Sequence, residues 1–218
     1  MYLDQSHVND LVVIKNHYQN QKKEIINHTI VKEEKNNMDY LEAIVNMNKI
    51  ISDKFIEKLI PLIDEKAKDN LTTRGGLNTE IRNVKGYPLN FETPTNIFYW
   101  NYIKTEIERL YIHYKAKFPK MQSNIVNQIE LLKYEADGKY EIHTDQYSTA
   151  PRHLSVIMNL NDDYEGGDLI FTDQKEYEVK RLKLGKGSIV FFPSNFMYPH
   201  SILPVTKGTR YSIVAWLQ

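Results

Sequence analysis

The sequence predicts an α+β protein in which a jelly-roll core, a double-stranded β-helix, is braced by helices from the N-terminal half. Three observations predict it. From Asn127 onward short apolar runs alternate with glycine-marked turns, and many short strands at such spacing build a sandwich or barrel. Before that point Ile97, Trp100, Ile103, Ile107, Leu110, Tyr111, Tyr114 and Phe118 recur at threes and fours, the period of an amphipathic helix. The long interval from Asp145 to His200 leaves room for several strands to cross a sandwich and return, as a jelly roll requires if remote residues are to meet. The expected organisation is a mainly helical part over 1–126 packed on a jelly-roll core over 127–218, the two forming one compact domain.

Taken in order, Leu11–Ile14 is a short β-branched run bounded by polar residues and reads as a strand. The stretch 18–37 is polar and keeps no period. Ser52 offers an N-cap for a helix whose apolar positions are Phe55, Ile56, Leu59, Ile60 and Ile63, and Pro61 is expected to kink or split it. Residues 70–95 hold Gly75, Gly76, Gly86, Pro88 and Pro94 among polar side chains, the composition of a long loop with one short strand. Such a loop is either a lid or a plain surface connection. The helix over 97–118 is expected to lie against the outside of a sheet, its aromatics serving as core. The strands that follow are read over Ile129–Leu132, Leu154–Leu160, Leu169–Phe171, Tyr177–Val179, Ser188–Phe192, Ile202–Leu203 and Tyr211–Leu217.

Composition argues against several functions. Lys and Arg total 28 and Asp and Glu total 28, so no net field draws the chain to nucleic acid or an anionic membrane. There is no Cys, which leaves His and carboxylates as the available metal chemistry and is compatible with a reducing cytoplasm. The opening residues show neither the basic nor the apolar region of a signal peptide, and no apolar run approaches a membrane span.

The chemistry-bearing residues fall in two segments. In a strand the period of two turns His143 and Asp145 to one face. His200 follows far downstream, and Arg210 comes after it in a run that again reads as strand. Two imidazoles and one carboxylate are the ligand set of the facial triad that holds non-haem Fe(II) with positions left open for chemistry. The plainer alternatives are an edge-strand ion pair for His143 and Asp145, a core histidine for His200 and a surface cation for Arg210. The apolar neighbours Tyr211, Ile213 and Val214 speak against the last.

The wider pattern is denser than those four residues. Tyr134-Glu135-Ala136-Asp137-Gly138-Lys139-Tyr140 precedes the first histidine; Arg152 to Asn161, Tyr164-Glu165-Gly166-Gly167-Asp168-Leu169 and Gly185 to Pro193 follow it; Pro199-His200-Ser201, Pro204 to Tyr211 and Trp216 close the chain. In that order the segment Asn127 to Gln218 resembles the prolyl 4-hydroxylase-like branch of the 2-oxoglutarate and Fe(II)-dependent dioxygenases. Residues 1–120 carry no comparable match. The resemblance implies Fe(II) held by His143, Asp145 and His200, with no catalytic group beyond those ligands. It implies 2-oxoglutarate as cosubstrate, its distal carboxylate on Arg210, with Tyr134 and Asn159 beside it and Trp216 at the pocket. An ordinary strand tyrosine and a core tryptophan are the alternatives for Tyr134 and Trp216. Ascorbate is the implied reductant.

The implied reaction hydroxylates an unactivated C–H and releases succinate and CO₂. A prolyl residue in a peptide or protein is the first-choice substrate, with a free amino acid or other small metabolite as the alternative. Nucleic acid is not expected, because the nucleic-acid demethylating branch carries a second arginine where this chain has Trp216. A non-catalytic jelly-roll binding module is the remaining alternative; it would expect a broken ligand set, whereas His143, Asp145, His200 and Arg210 are all present.

Overall fold

In the computed structural model, which describes residues 39–218 apart from 74, 124, 147 and 150, the chain passes back and forth between two antiparallel sheets. Its elements are β1 (Val45–Met47), α1 (Asp53–Lys66), β2 (Arg82–Asn83), β3 (Lys85–Pro88), α2 (Pro94–Lys117), β4 (Val126–Tyr134), β5 (Lys139–His143), β6 (Leu154–Asn159), β7 (Glu165–Gly166), β8 (Leu169–Thr172), β9 (Glu178–Leu182), β10 (Ile189–Pro193), β11 (His200–Ile202), β12 (Val205–Lys207) and β13 (Arg210–Leu217). The expected strand over Leu11–Ile14 and the polar stretch 18–37 lie outside the described residues. Residues from Ala43 to Gln218 cluster as one compact unit.

The larger sheet runs β1-β10-β6-β13-β4-β3 and the smaller β2-β5-β11-β8-β9, with β12 and β7 forming a separate ribbon. Apart from the β8–β9 hairpin, consecutive long strands therefore alternate between the two sheets: β4, β6, β10 and β13 in one, β5, β8, β9 and β11 in the other. This is the jelly roll, and it sets β5 beside β11 although the intervening strands separate them in sequence.

Alternation along the larger sheet sorts side chains into two layers. Ile129 and Leu131 of β4, Val156 and Met158 of β6, Ile189 and Phe191 of β10, and Ile213, Ala215 and Leu217 of β13 form an outer apolar layer. Against it pack Ile56, Leu59 and Ile63 of α1 and Ile103, Ile107, Leu110 and Tyr114 of α2. The opposite face of the same strands turns toward the smaller sheet.

Both helices start where the chain supplies a cap. The Ser52 side chain accepts from Phe55 N at 3.3 Å, and the Thr93 side chain from Asn96 N at 3.1 Å with Pro94 in the first turn. Pro61 does not split α1. It stands on the exposed side, so the carbonyl it deprives of a donor lies toward solvent rather than in the core. Among the described residues no helix is long and apolar enough to cross a membrane.

The stretch 70–95 is more ordered than its composition predicts. Arg82–Asn83 pairs with β5 and Lys85–Pro88 pairs with β4, so one short segment edges both sheets, with buried Val84 at the crossing. Asn70 bridges Lys85, and Leu71 lies so close to Gly86 that a Cβ there would stand 2.3 Å from Leu71 Cδ1. The glycine is there for that close approach.

Candidate metal centre and its cavity

Strands β5 and β11 bring the two histidines into register, His200 opposite His143 and Ile202 opposite Tyr140. Two intervals on β11 thus face three on β5, a bulge that turns Tyr140 and His143 to the same side. The Tyr140 ring stacks on the His143 ring with centroids 3.6 Å apart. Asp145 reaches the point differently from the period-of-two expectation, because β5 ends at His143 and Asp145 sits in the bend that follows. Its position is held by Ser155 Oγ, which donates to Oδ2 at 2.6 Å, and by Arg152, which donates to its carbonyl at 3.4 Å.

The three side chains converge. Asp145 Oδ1 lies 3.6 Å from His143 Nε2 and Oδ2 lies 3.6 Å from His200 Nε2, and the candidate ligand atoms all fall within 4.8 Å of one another. His143 Nδ1 stands 2.8 Å from Glu141 O and His200 Nδ1 3.1 Å from Tyr198 O. A carbonyl only accepts, so each Nδ1 carries the proton and each Nε2 presents a lone pair inward, the tautomer a metal ligand needs.

Electrostatics agree with that reading. Burial would raise the Asp145 pKa, but the neighbouring imidazoles and the Ser155 hydroxyl outweigh it and hold the carboxyl well below its usual range. Burial, with His143 close by, pulls His200 down to about 4 against the attraction of Asp145. At neutral pH the centre offers an ionised carboxylate and a neutral His200, a donor set that fits an iron site.

The same cavity continues from the histidines to Arg210, lined by Tyr134, Leu132, Ile157, Ile202, Ser212, Val214 and Trp216. Arg210 is 1% exposed. Its Nη1 donates to Ser212 Oγ at 3.1 Å, and its guanidinium lies 5.1 Å from the Tyr134 ring centroid. Arg210 Nε and Nη2 are buried without a partner. Two parallel N–H groups left open in a buried pocket suit a carboxylate, which takes a guanidinium bidentately. Gly167, at φ 66°, makes room for this side chain: a Cβ there would stand 3.1 Å from Arg210 Cδ.

His143, Asp145, His200, Arg210, Tyr134 and Trp216 are thus brought to one cavity. Asn159 is not among its lining residues. The Asn159 amide instead donates to Asn161 O at 2.6 Å and Leu184 O at 3.0 Å, while its own oxygen accepts from Tyr164 at 3.3 Å. Its side chain ties together the loops that follow β6 and β9. The sequence reading missed Tyr140, Ser155 and Arg82. Tyr140 is hidden by the β5 bulge, Ser155 by its lack of any motif, and Arg82 by a polar stretch with no period.

Residues 129–218 match the family model described as the 2OG-Fe(II) oxygenase superfamily. This segment is therefore similar to 2OG-Fe(II) oxygenase domains. The matched segment runs from β4 to β13 and so includes every strand that carries the converging side chains except β2. Among sequence relatives, a PKHD-type hydroxylase of Synechococcus sp. (strain JA-2-3B'a(2-13)) is 28% identical over 124 residues, 53% of this chain and 52% of the relative. Another PKHD-type hydroxylase, of Psychrobacter sp. (strain PRwf-1), is 36% identical over 84 residues, 38% of this chain and 31% of the relative. The chain spans about half the length of the first of these relatives.

Solved structures share the fold at low identity. A prolyl hydroxylase from Trichoplax adhaerens, in complex with a hypoxia inducible factor oxygen degradation domain peptide fragment, superposes with TM-score 0.68 at 17% identity, covering 92% of each chain. A Pseudomonas putida prolyl-4-hydroxylase gives 0.63 at 17% identity over 83% of this chain and 95% of its own. At this identity the likeness is one of fold.

Proposed function

We propose that the chain is a 2-oxoglutarate-dependent non-haem iron dioxygenase that hydroxylates a prolyl residue in a peptide or protein. The observation that carries this reading is one cavity holding both an inward-facing His143–Asp145–His200 set and the open guanidinium edge of Arg210. His143 Nε2, His200 Nε2 and one Asp145 oxygen would hold Fe(II). When bound, the iron supplies oxygen activation coupled to oxidative decarboxylation of 2-oxoglutarate to succinate and CO₂.

The protein's own groups do the rest. Arg210 Nε and Nη2 take the distal carboxylate of 2-oxoglutarate, and Tyr134 packs beside it. Ser155 and the Glu141 and Tyr198 carbonyls orient the ligands. Leu132, Ile157, Ile202 and Val214 make the walls apolar, which excludes water and strengthens each polar contact inside. The prolyl substrate is supported by the names of the relatives and structural neighbours. Ascorbate is the proposed reductant for cycles that lose Fe(II).

The test is Fe(II) binding under anaerobic conditions, followed by succinate formation from 2-oxoglutarate with and without Pro-containing peptides, beside His143→Ala. We expect Fe(II) binding, peptide-stimulated succinate and a peptide mass gain of one oxygen, all lost in the variant. A wild-type protein that binds no Fe(II) overturns the proposal.

A further inference from the structure

Among the described residues, four buried N–H groups without a partner belong to residues lining the cavity: Arg210 Nε and Nη2, Arg82 Nε and Trp216 Nε1. All four are donors. The proposed cosubstrate explains the Arg210 pair and leaves the other two. Trp216 stands on β13 six residues from Arg210, about 20 Å along an extended strand, so no group bound at Arg210 serves both ends.

Arg82 lies between the two ends. Its Nη2 donates to Glu130 Oε2 at 3.1 Å, and Glu130 pairs in register with Val214, whereas Tyr134 pairs with Arg210. Its Nη1 donates to Thr72 O at 3.0 Å. With both terminal nitrogens tied, the guanidinium is held 4.8 Å from the centroid of Tyr140, the ring that in turn stacks on His143. The open Nε–H therefore stands two stacked layers from a metal-ligand candidate.

The acceptor that completes it follows from charge. Glu130 already compensates Arg82, and its other oxygen accepts from Gln128 Nε2 at 2.9 Å. Glu130 is 7% exposed. A ligand carboxylate on the same guanidinium would be a second anion in a buried place holding one cation. The neighbouring cation Arg152 is not among the cavity-lining residues; it lies 3.6 Å from the Trp216 ring centroid and donates to Gln128. An uncharged oxygen fits where a charged one does not.

Resting on the function proposed above, we infer that Arg82, held by Glu130, is a substrate-positioning residue whose Nε–H takes a main-chain amide carbonyl, so the cavity selects a prolyl residue inside a peptide over a free carboxylate. The test measures equilibrium binding to the anaerobic protein loaded with Fe(II) and 2-oxoglutarate. The ligand pair is one prolyl peptide ending in a carboxamide and the same peptide ending at that proline in a free carboxylate.

The carboxamide is expected to bind roughly 10-fold tighter or more, the lower end of what a hydrogen bond from a charged donor contributes. Equal or tighter binding of the free acid overturns the inference. Arg82→Gln and Arg82→Lys, the latter keeping the charge beside Glu130 but not the Nε–H, are expected to lose that preference. Carboxamide binding by Arg82→Lys equal to wild type overturns it. Glu130→Gln is expected to shift the ratio toward the acid; an unchanged ratio in a variant with wild-type melting behaviour overturns the charge argument. Succinate formation by the wild type without peptide separates the two levels: if it is present while the ligand pair binds equally, only this inference falls, and if Fe(II) does not bind, both fall.

Discussion

Strand β13 has two faces that are almost equally buried and chemically unlike. Toward the helices it turns Ile213, Ala215 and Leu217, and toward the smaller sheet Arg210, Ser212, Val214 and Trp216. Burial does not distinguish them, since every residue of the strand except Tyr211 is buried. Completeness does. The outer face is closed by apolar side chains of α1 and α2, whereas the inner face leaves Arg210 Nε, Arg210 Nη2 and Trp216 Nε1 unpartnered. An unpaired buried donor costs about 1–3 kcal/mol, so a strand that keeps three of them on one face is built for a ligand to complete.

The hardest way to break the contrast is at the metal. His200→Ala removes one of three proposed ligands and is expected to lower Fe(II) affinity beyond the roughly 10–100-fold that loss of a supporting group costs. Anaerobic metal titration reads it. Next comes the inner face itself. Arg210→Met is expected to raise the KM for 2-oxoglutarate on the order of 100-fold, because two charge-assisted hydrogen bonds are lost. The ligand-free protein should meanwhile melt no lower, since the change removes a buried cation with open donors. On the outer face the signs reverse: Ile213→Ala is expected to cost about 2–5 kcal/mol in urea unfolding while 2-oxoglutarate affinity holds. If Arg210→Met destabilised the ligand-free fold as much as Ile213→Ala, the two faces would not differ in kind.

The same contrast explains how much was legible. The outer layer is written in period, so Ile103, Ile107 and Leu110 and the alternating strands could be read directly. The converging residues His143, Asp145, His200 and Arg210 were legible through their types and order. Two features that shape the cavity were not. The β5 bulge depends on pairing with β11, which no local period records, and it alone turns Tyr140 to the His143 side. The two strands around Val84 exist because both sheets offer an open edge there, so Arg82 acquires its place from partners far away in sequence. Asn159 shows the converse: an inward polar residue in a promising position whose hydrogen bonds are already complete.

The mildest test concerns a polar cluster on the outer side. Asp64 of α1 accepts from Lys133 Nζ and from Tyr211 Oη, each at 2.8 Å, and Lys133 pairs with Tyr211 across β4 and β13. Unlike the inner donors, these groups are mutually satisfied and partly exposed, so Asp64→Asn is expected to cost about 1 kcal/mol or less. Its signature lies in pH. Burial pushes the Asp64 carboxyl up, but the bonds from Lys133 and Tyr211 outweigh it and hold the pKa below its ordinary value. That contribution is present above the unfolded carboxylate pKa and is lost as pH falls through the folded one. Tyr211 is pushed up to about 12, by burial first and by Asp64 second. Its contribution is full below the ordinary phenol value of about 10 and disappears as pH rises through the folded one. Urea midpoints measured across acidic, neutral and alkaline pH should therefore converge for wild type and Asp64→Asn at both extremes and separate between them, with 2-oxoglutarate affinity the same in both proteins. A gap that persists in acid would mean that the Asp64 charge is not what joins α1 to the sheet.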